Sequence, residues 1–312
     1  MSWPSTTRDT VKWPDINEDG SLSSSTTHLP MFLQAAKKNV DWNGYNQIEK
    51  LCSEKWDGSE QRIRTFRKMY ERLGVICQIN QQLCLTQFGN KLYSFFYSRG
   101  TKAEKVQQEK ELAKSAFSIL SRYQFNNPTE RFGDDVGEGL GGIRPFRTIL
   151  QAFSLLDGRL HYEEINRVIL NIKDSEDLVS AVEKIAIARE ATGGRYAGSS
   201  AANIEKILGR ESIIDQPSAR IASWFSLSGW GGLLISSESD PNGYRHLTEL
   251  GQSVIRETGF NDSQKFEGTG VRQWYEYYGG IFYEEISDSA FIKAFDDICI
   301  ISKKYNQSIF IY

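Results

Sequence analysis

The chain reads as mainly α with small β wings: tandem winged helix-turn-helix domains followed by a C-terminal helical appendage. Three observations carry that reading. Apolar residues recur at helical spacing in LPMFLQAAKK, YNQIEKLCSEKW and SEQRIRTFRKMYERLG. The segment VICQINQQLCLT then alternates around Asn80, Gln81 and Gln82, as two short strands joined by a turn would. Finally, the phrase Leu85-Thr86-Gln87-Phe88-Gly89 returns as Leu247-Thr248-Glu249-Leu250-Gly251 behind a second apolar run and turn.

Residues 1–27 are rich in Ser, Thr, Asp and Pro and read as a disordered or extended arm. Winged-helix domain 1 is expected over 28–100. Its third helix starts behind Ser59, an N-cap with acidic Glu60 next, and stops at Gly74, where a C′ glycine belongs. After the hairpin, Thr86 caps a fourth helix, Gly89 lets it pack closely, and Leu85, Phe88, Leu92 and Phe96 form its buried stripe. Residues 101–142 read as a helical linker and a joint, with five glycines between 133 and 142. Winged-helix domain 2 is expected over 143–260. IRPFRTILQAFSLLDG, RLHYEEINRVILNI and SEDLVSAVEKIAIARE read as its helices. WGGLLISSESDPNGYRHLT supplies its wing, turning at Asp240-Pro241-Asn242-Gly243. Residues 261–312, with VRQWYEYYGGIFYEE, form a C-terminal helical extension that serves as a strut or an interaction surface.

Composition narrows the function. The 312 residues are 39% hydrophobic, enough for two modest cores. No run approaches the roughly 18–20 apolar residues of a membrane span, and no basic region leads into an apolar block at the N-terminus, so a cytoplasmic protein with no membrane partner is expected. A net charge of -3 excludes a surface coated in positive potential. Nucleic-acid binding must therefore come from local patches. Four cysteines and three histidines are too dispersed for a zinc module. Cys77 and Cys84 flank the hairpin turn and face each other as two free thiols in a reducing compartment.

One local patch stands out. On the third helix, Ile63, Phe66, Tyr70 and Leu73 share the core side, while Gln61, Arg64, Thr65, Lys68 and Arg72 lie opposite, with Arg62 and Arg67 on the flanks. Between residues 61 and 72 five cations stand against one Glu. Arg and Gln reach guanine and adenine edges in a major groove, and Lys neutralises phosphate. A solvated amphipathic helix pairing its own charges is the bland alternative, but the basic face sits where a reader helix belongs. Gln81 at the hairpin tip fits a backbone or minor-groove contact. In the second domain Arg220 and Ser223 face outward from SARIASWFSLSGW, and Arg195 lies in the loop ATGGRYAGSS, which reads more readily as a plain surface loop.

Catalytic signatures are missing. No Asp or Glu is followed two residues later by Lys, as a D/E-x-K nuclease requires, and there is no Walker A loop, G-x-S-x-G elbow or H-E-x-x-H. The chain is expected to be no enzyme by itself, with no catalytic residues, cofactor or small-molecule substrate. Asp15, Asn17, Asp19 and Gly20 follow EF-hand loop order, but Thr26 falls where the bidentate carboxylate is required, so no metal is expected.

The pattern LGVICQINQQLCLTQFGNKL, then GGIRPFRTILQAFSLLDGRLHYEEINRVILNIKDSEDLVSAVEKI, then a second wing ending in LTELGQSVI, resembles the N-terminal recognition region of AlwI/MlyI-type restriction and nicking endonucleases, FokI-like type IIS enzymes, over most of residues 30–260. The resemblance implies winged-helix subdomains that read a short asymmetric site in double-stranded DNA. It implies cleavage by a separate nuclease domain or subunit, since no nuclease region is present here. It places contacts on Gln61, Arg64 and Lys68, and on Arg220 and Ser223. The residues alone leave two rivals open: a winged-helix transcriptional regulator, which would dimerise on a palindrome, and a protein-interaction adaptor that docks through WYEYYGGIFYEE.

Overall fold

The computed structural model describes residues 3, 13–22, 28–39, 60–130, 140, 142–193, 196, 206–208, 224, 227–230, 232–236, 238–260 and 264–280, without the side chains of 60–62. All of them belong to one compact unit, Met1–Ile281. Helices predominate, with two small antiparallel sheets.

Helix α1, His28–Lys37, buries Leu29, Phe32, Leu33, Ala35 and Ala36. The expected second helix, near residues 45–56, lies outside the described residues, as does Ser59. Helix α2, Glu60–Arg72, buries Ile63, Phe66, Tyr70 and Leu73 as its spacing predicts, and Met69 with them. It ends as foreseen at Gly74, whose φ is 66°. Gly74 N–H donates to Glu71 O at 3.0 Å and Val75 N–H to Tyr70 O at 2.9 Å, the paired bonds of a Schellman cap.

Strands β1, Ile76–Ile79, and β2, Gln82–Leu85, follow as the expected hairpin, with Cys77 opposite Cys84. Asn80 and Gln81 both take positive φ, 49° and 68°, the twist a two-residue hairpin turn demands. Helix α3, Gln87–Tyr97, buries Phe88, Gly89, Leu92 and Phe95. Phe95 takes the place expected of Phe96, because the helix is oriented by its contact with the long helix that follows.

That helix, α4, Lys102–Leu120, opens on a capping box of Thr101 and Glu104. It packs against α3 on one side and a later helix, Glu249–Thr258, on the other. The stretch expected as a linker is thus a central support, because Leu112, Ala113, Ala116, Phe117 and Leu120 give it an apolar flank to bury.

Helix α5, Pro145–Leu155, starts on a proline suited to a first turn. The next stretch departs from the expected single helix. Asp157 and Gly158 take positive φ, 56° and 73°. They reverse the chain into strand β3, Arg159–His161, before helix α6, Tyr162–Arg167, and a 3-10 turn at Ile169–Asn171. His161 caps α6, and its N–H donates to Glu164 Oε2 at 2.9 Å. Glu164 is fully buried, with Arg189 Nε and Nη2 both at 2.8 Å from its carboxylate. Arg189 sits on helix α7, Asp177–Thr192, so this ion pair ties α7 to the corner.

The second wing also differs in pairing. Strand β4, Tyr244–His246, lies centrally: it pairs along one edge with β3, and the upstream run lies along the other through the bridge Ile235–Leu247 and bonds from Ser236 N–H to His246 O and Asp240 N–H to Tyr244 O, each at 2.8 Å. The expected turn is present. Asp240 Oδ1 accepts from Asn242 N–H at 2.8 Å and Tyr244 N–H at 3.0 Å, and Gly243 has φ 86°. Helix α8, Glu249–Thr258, follows.

Two tryptophans near the N-terminus and a helix within residues 264–280 pack onto this frame. Trp3 is 3% exposed; its backbone N–H donates to Leu170 O at 3.1 Å and its Nε1 to Ile172 O at 2.8 Å. Trp13 stacks on Phe95 and meets Trp230 edge-on, while its Nε1 donates to Glu109 at 2.6 Å. Residues expected to lie in a solvated arm are therefore anchored at two tryptophans. In the C-terminal extension, helix α9, Val271–Tyr278, buries Trp274, Tyr275 and Tyr278, and the Tyr278 hydroxyl donates to Arg72 O.

Candidate nucleic-acid interface

The repeated phrase builds the same device twice. Thr86 Oγ1 accepts from Gly89 N–H, and Thr248 Oγ1 from Gly251 N–H, each at 2.9 Å. Each threonine's N–H donates back to the strand that enters the wing, Thr86 to Val75 O at 3.2 Å and Thr248 to Leu234 O at 3.0 Å. Each hydroxyl also donates to the carbonyl one residue earlier, Thr86 to Gly74 O and Thr248 to Leu233 O at 3.0 Å. The glycine lies against the same carbonyl: a Cβ on Gly89 would stand 1.9 Å from Val75 O, and one on Gly251 2.2 Å from Leu234 O. A helix is thereby clamped at its first turn to the root of each hairpin, which fixes how each wing stands on its helical body.

The basic helix beside the first wing is more internally committed than its sequence implies. Arg72 is buried, with Nε and Nη2 at 2.6 and 3.0 Å from Glu130, and its guanidinium lies over Trp224. Burial pulls the Arg72 pKa down, but the charge and hydrogen bonds of Glu130 outweigh it and hold the group above its ordinary value. The expectation that Arg72 meets DNA is corrected: the helix turns its C-terminal end inward, where the interior offers a carboxylate and an indole. Arg67 donates to Glu71 at 2.9 Å and to Gln78 of β1 at 2.6 Å. Lys68 reaches Glu71 at 3.2 Å and Thr129 O at 3.0 Å while staying half-exposed. The row thus welds α2 to the hairpin and to residues 129–130. Sequence reasoning missed Glu130 because it is remote in the chain.

Among the described residues of α2 and the first hairpin, polar side chains reach solvent at two places. Arg64 is exposed and Thr65 half-exposed on the N-terminal half of α2. Gln61 and Arg62 belong to that same turn, with side chains outside the described residues. Asn80 and Gln81 are exposed at the hairpin tip. Gln81 keeps a side chain at φ 68°, a conformation that costs a non-glycine residue roughly 1–2 kcal/mol. Arg195, Arg220 and Ser223 lie outside the described residues. Among the described residues no three His, Cys, Asp or Glu side chains converge on a metal position, and no helix is long and apolar enough to cross a membrane.

No family model matches the chain, and no curated protein does. Among solved structures the chain is similar to a crystal structure of pyrene- and phenanthrene-modified DNA in complex with the BpuJ1 endonuclease binding domain. The identity is 14% and the TM-score 0.42, over 93% of this chain and 96% of that one.

Proposed function

We propose that this chain binds double-stranded DNA, reading a short asymmetric site through two tandem winged-helix domains as the recognition module of a restriction, and hence phage-defence, system. Cleavage then belongs to a separate nuclease domain or subunit, and the AlwI/MlyI-type assignment is part of the same proposal. In this reading residues 28–100 and 143–260 are the two domains, 101–142 is the helical linker between them and 261–312 is a C-terminal helical extension. The observation that carries it is the junction of α2 with the first hairpin. A helix bearing Arg64 on its outer side is bonded through Arg67 to Gln78 of a wing whose tip keeps Asn80 and Gln81 exposed. A helix that enters a major groove beside a wing that reaches the backbone needs that rigid union. Base contacts are assigned to the first turns of α2, Gln61, Arg62, Arg64 and Thr65, where a reader helix meets base edges, and the wing contact to Gln81 at the exposed hairpin tip.

The adaptor reading is weakened at three aromatics of its docking segment, since Trp274, Tyr275 and Tyr278 are buried, while residues 281–285 lie outside the described residues. A palindromic site bound by a dimer would favour a regulator. Selection of bound duplexes from a random-sequence library, with the winners' affinities followed against salt, tests the proposal. An enriched asymmetric motif with a steep salt slope is expected. Arg64→Ala should relax selectivity at one base pair, at a cost of about 1–3 kcal/mol. Salt-sensitive binding without enrichment would sink site recognition.

A further inference from the structure

Cys77 and Cys84 occupy directly opposed positions in the hairpin. Opposed residues point to the same face, and their Cα atoms are roughly 4.5–5.5 Å apart in antiparallel pairs of either kind. A disulfide spans Cα separations of about 4.4–6.8 Å. The kind of pair follows from the turn. A two-residue turn makes Ile79 and Gln82 a hydrogen-bonded pair, and the bond from Thr86 N–H to Val75 O marks another at the root. Alternation makes Cys77 and Cys84 hydrogen-bonded between them. Both are free thiols; Cys77 is fully buried and Cys84 half-exposed, so one sulfur meets solvent and the other waits behind it.

We propose that Cys77 and Cys84 are a reversible oxidation site, closed into a cross-strand disulfide by a small-molecule disulfide such as glutathione disulfide. The inference stands on the hairpin alone and is independent of DNA binding. A hydrogen bond from the Cys77 thiol is the largest effect on Cys84 and draws it down to about 7, while the same bond, with burial, pushes Cys77 well up. Attack therefore begins at Cys84. Its thiolate forms a bond to one glutathione sulfur and breaks the S–S bond, expelling glutathione thiolate, which takes the Cys77 proton. The Cys77 thiolate then attacks Cys84 Sγ and expels the second glutathione, which is protonated from solvent. Two protein thiols lose two electrons and one glutathione disulfide becomes two glutathiones.

Both cysteines fall in one tryptic peptide, Leu73–Lys91, with no Lys or Arg between them. After folded protein is incubated with glutathione disulfide, this peptide should be lighter by two hydrogens and refuse alkylation, and dithiothreitol should restore it. Cys77→Ser should stop at a stable mixed disulfide on Cys84, and in Cys84→Ser the buried Cys77 should gain glutathione at least tenfold more slowly. The proposal is overturned if wild-type peptide stays alkylatable at both cysteines, accumulates glutathione on Cys84 without resolving, or links instead to Cys52 or Cys299.

Discussion

A methyl group added at Gly89 measures how tightly the first wing is clamped. The Cβ of Gly89→Ala would lie 1.9 Å from Val75 O and 3.0 Å from Val75 C, whereas a relaxed carbon–oxygen contact is about 3.3–3.6 Å. The start of α3 must therefore retreat by more than about 1 Å, which pulls Thr86 off Val75 and strains the cap to Gly89. Losing the cap costs about 1 kcal/mol, and overpacking adds about 1–3 kcal/mol. A buried backbone bond contributes about another 1 kcal/mol. Replacing glycine inside a helix returns about 1 kcal/mol. The net destabilisation is about 2–4 kcal/mol. Since each kcal/mol shifts the midpoint of a domain this size by about 2–4 °C, thermal melting followed by far-UV circular dichroism should show a fall of roughly 4–16 °C. Gly251→Ala should fall as far, since its Cβ meets Leu234 O at 2.2 Å. Gly193 has φ 61° and nothing within 4 Å of its Cβ. Gly193→Ala should cost only its left-handed strain, about 1–2 kcal/mol. If Gly89→Ala melts at or above wild type, the helix does not abut the carbonyl and the equivalence of the two wings fails.

Two further perturbations probe the frame. Trp3→Ala removes a buried ring lying 5.5 Å from Phe125 and should cost about 3–5 kcal/mol; an unchanged melting temperature would show that the N-terminal residues are not anchored there. Glu257 accepts from Ser253 at 2.7 Å and pairs with Lys110 and Lys114 at 3.1 and 3.2 Å. The Ser253 bond first, then the lysines, hold its carboxyl down at about 2 against an ordinary 4.5. Because the folded value is depressed, its stabilisation is present above pH 4.5 and lost as pH falls towards about 2. The melting difference between wild type and Glu257→Gln should shrink across that window, and a difference independent of pH would contradict the assignment.

Local signals were legible where the interaction they encode is local. Thr86, Gly89, Thr248 and Gly251 could be read because a cap and its close approach act within a few residues, and Gly74 because a Schellman cap spans one turn. The Asp240–Gly243 turn follows the same logic. Arg72 could not be read, since its partner Glu130 and the Trp224 ring are far along the chain, and a helical wheel places a residue without saying what the rest of the protein brings to it. Trp3-Pro4 and Trp13-Pro14 did carry a signal that composition averaged away: a solvated tail has little use for two indoles.

By itself the sequence determined the short-range framework: helical segments with their caps, a hairpin with a two-residue turn, and one phrase that builds the same joint twice. Their physical causes are backbone sterics and hydrogen bonds closed within a few residues. Only the tertiary structure decided that β4 also pairs with β3, that α4 supports both capped helices, and that most of the cations of α2 are spent inside the molecule. Those outcomes depend on which buried charges and apolar faces meet across long stretches of chain, and burial, which sets their energies, exists only once the chain has folded.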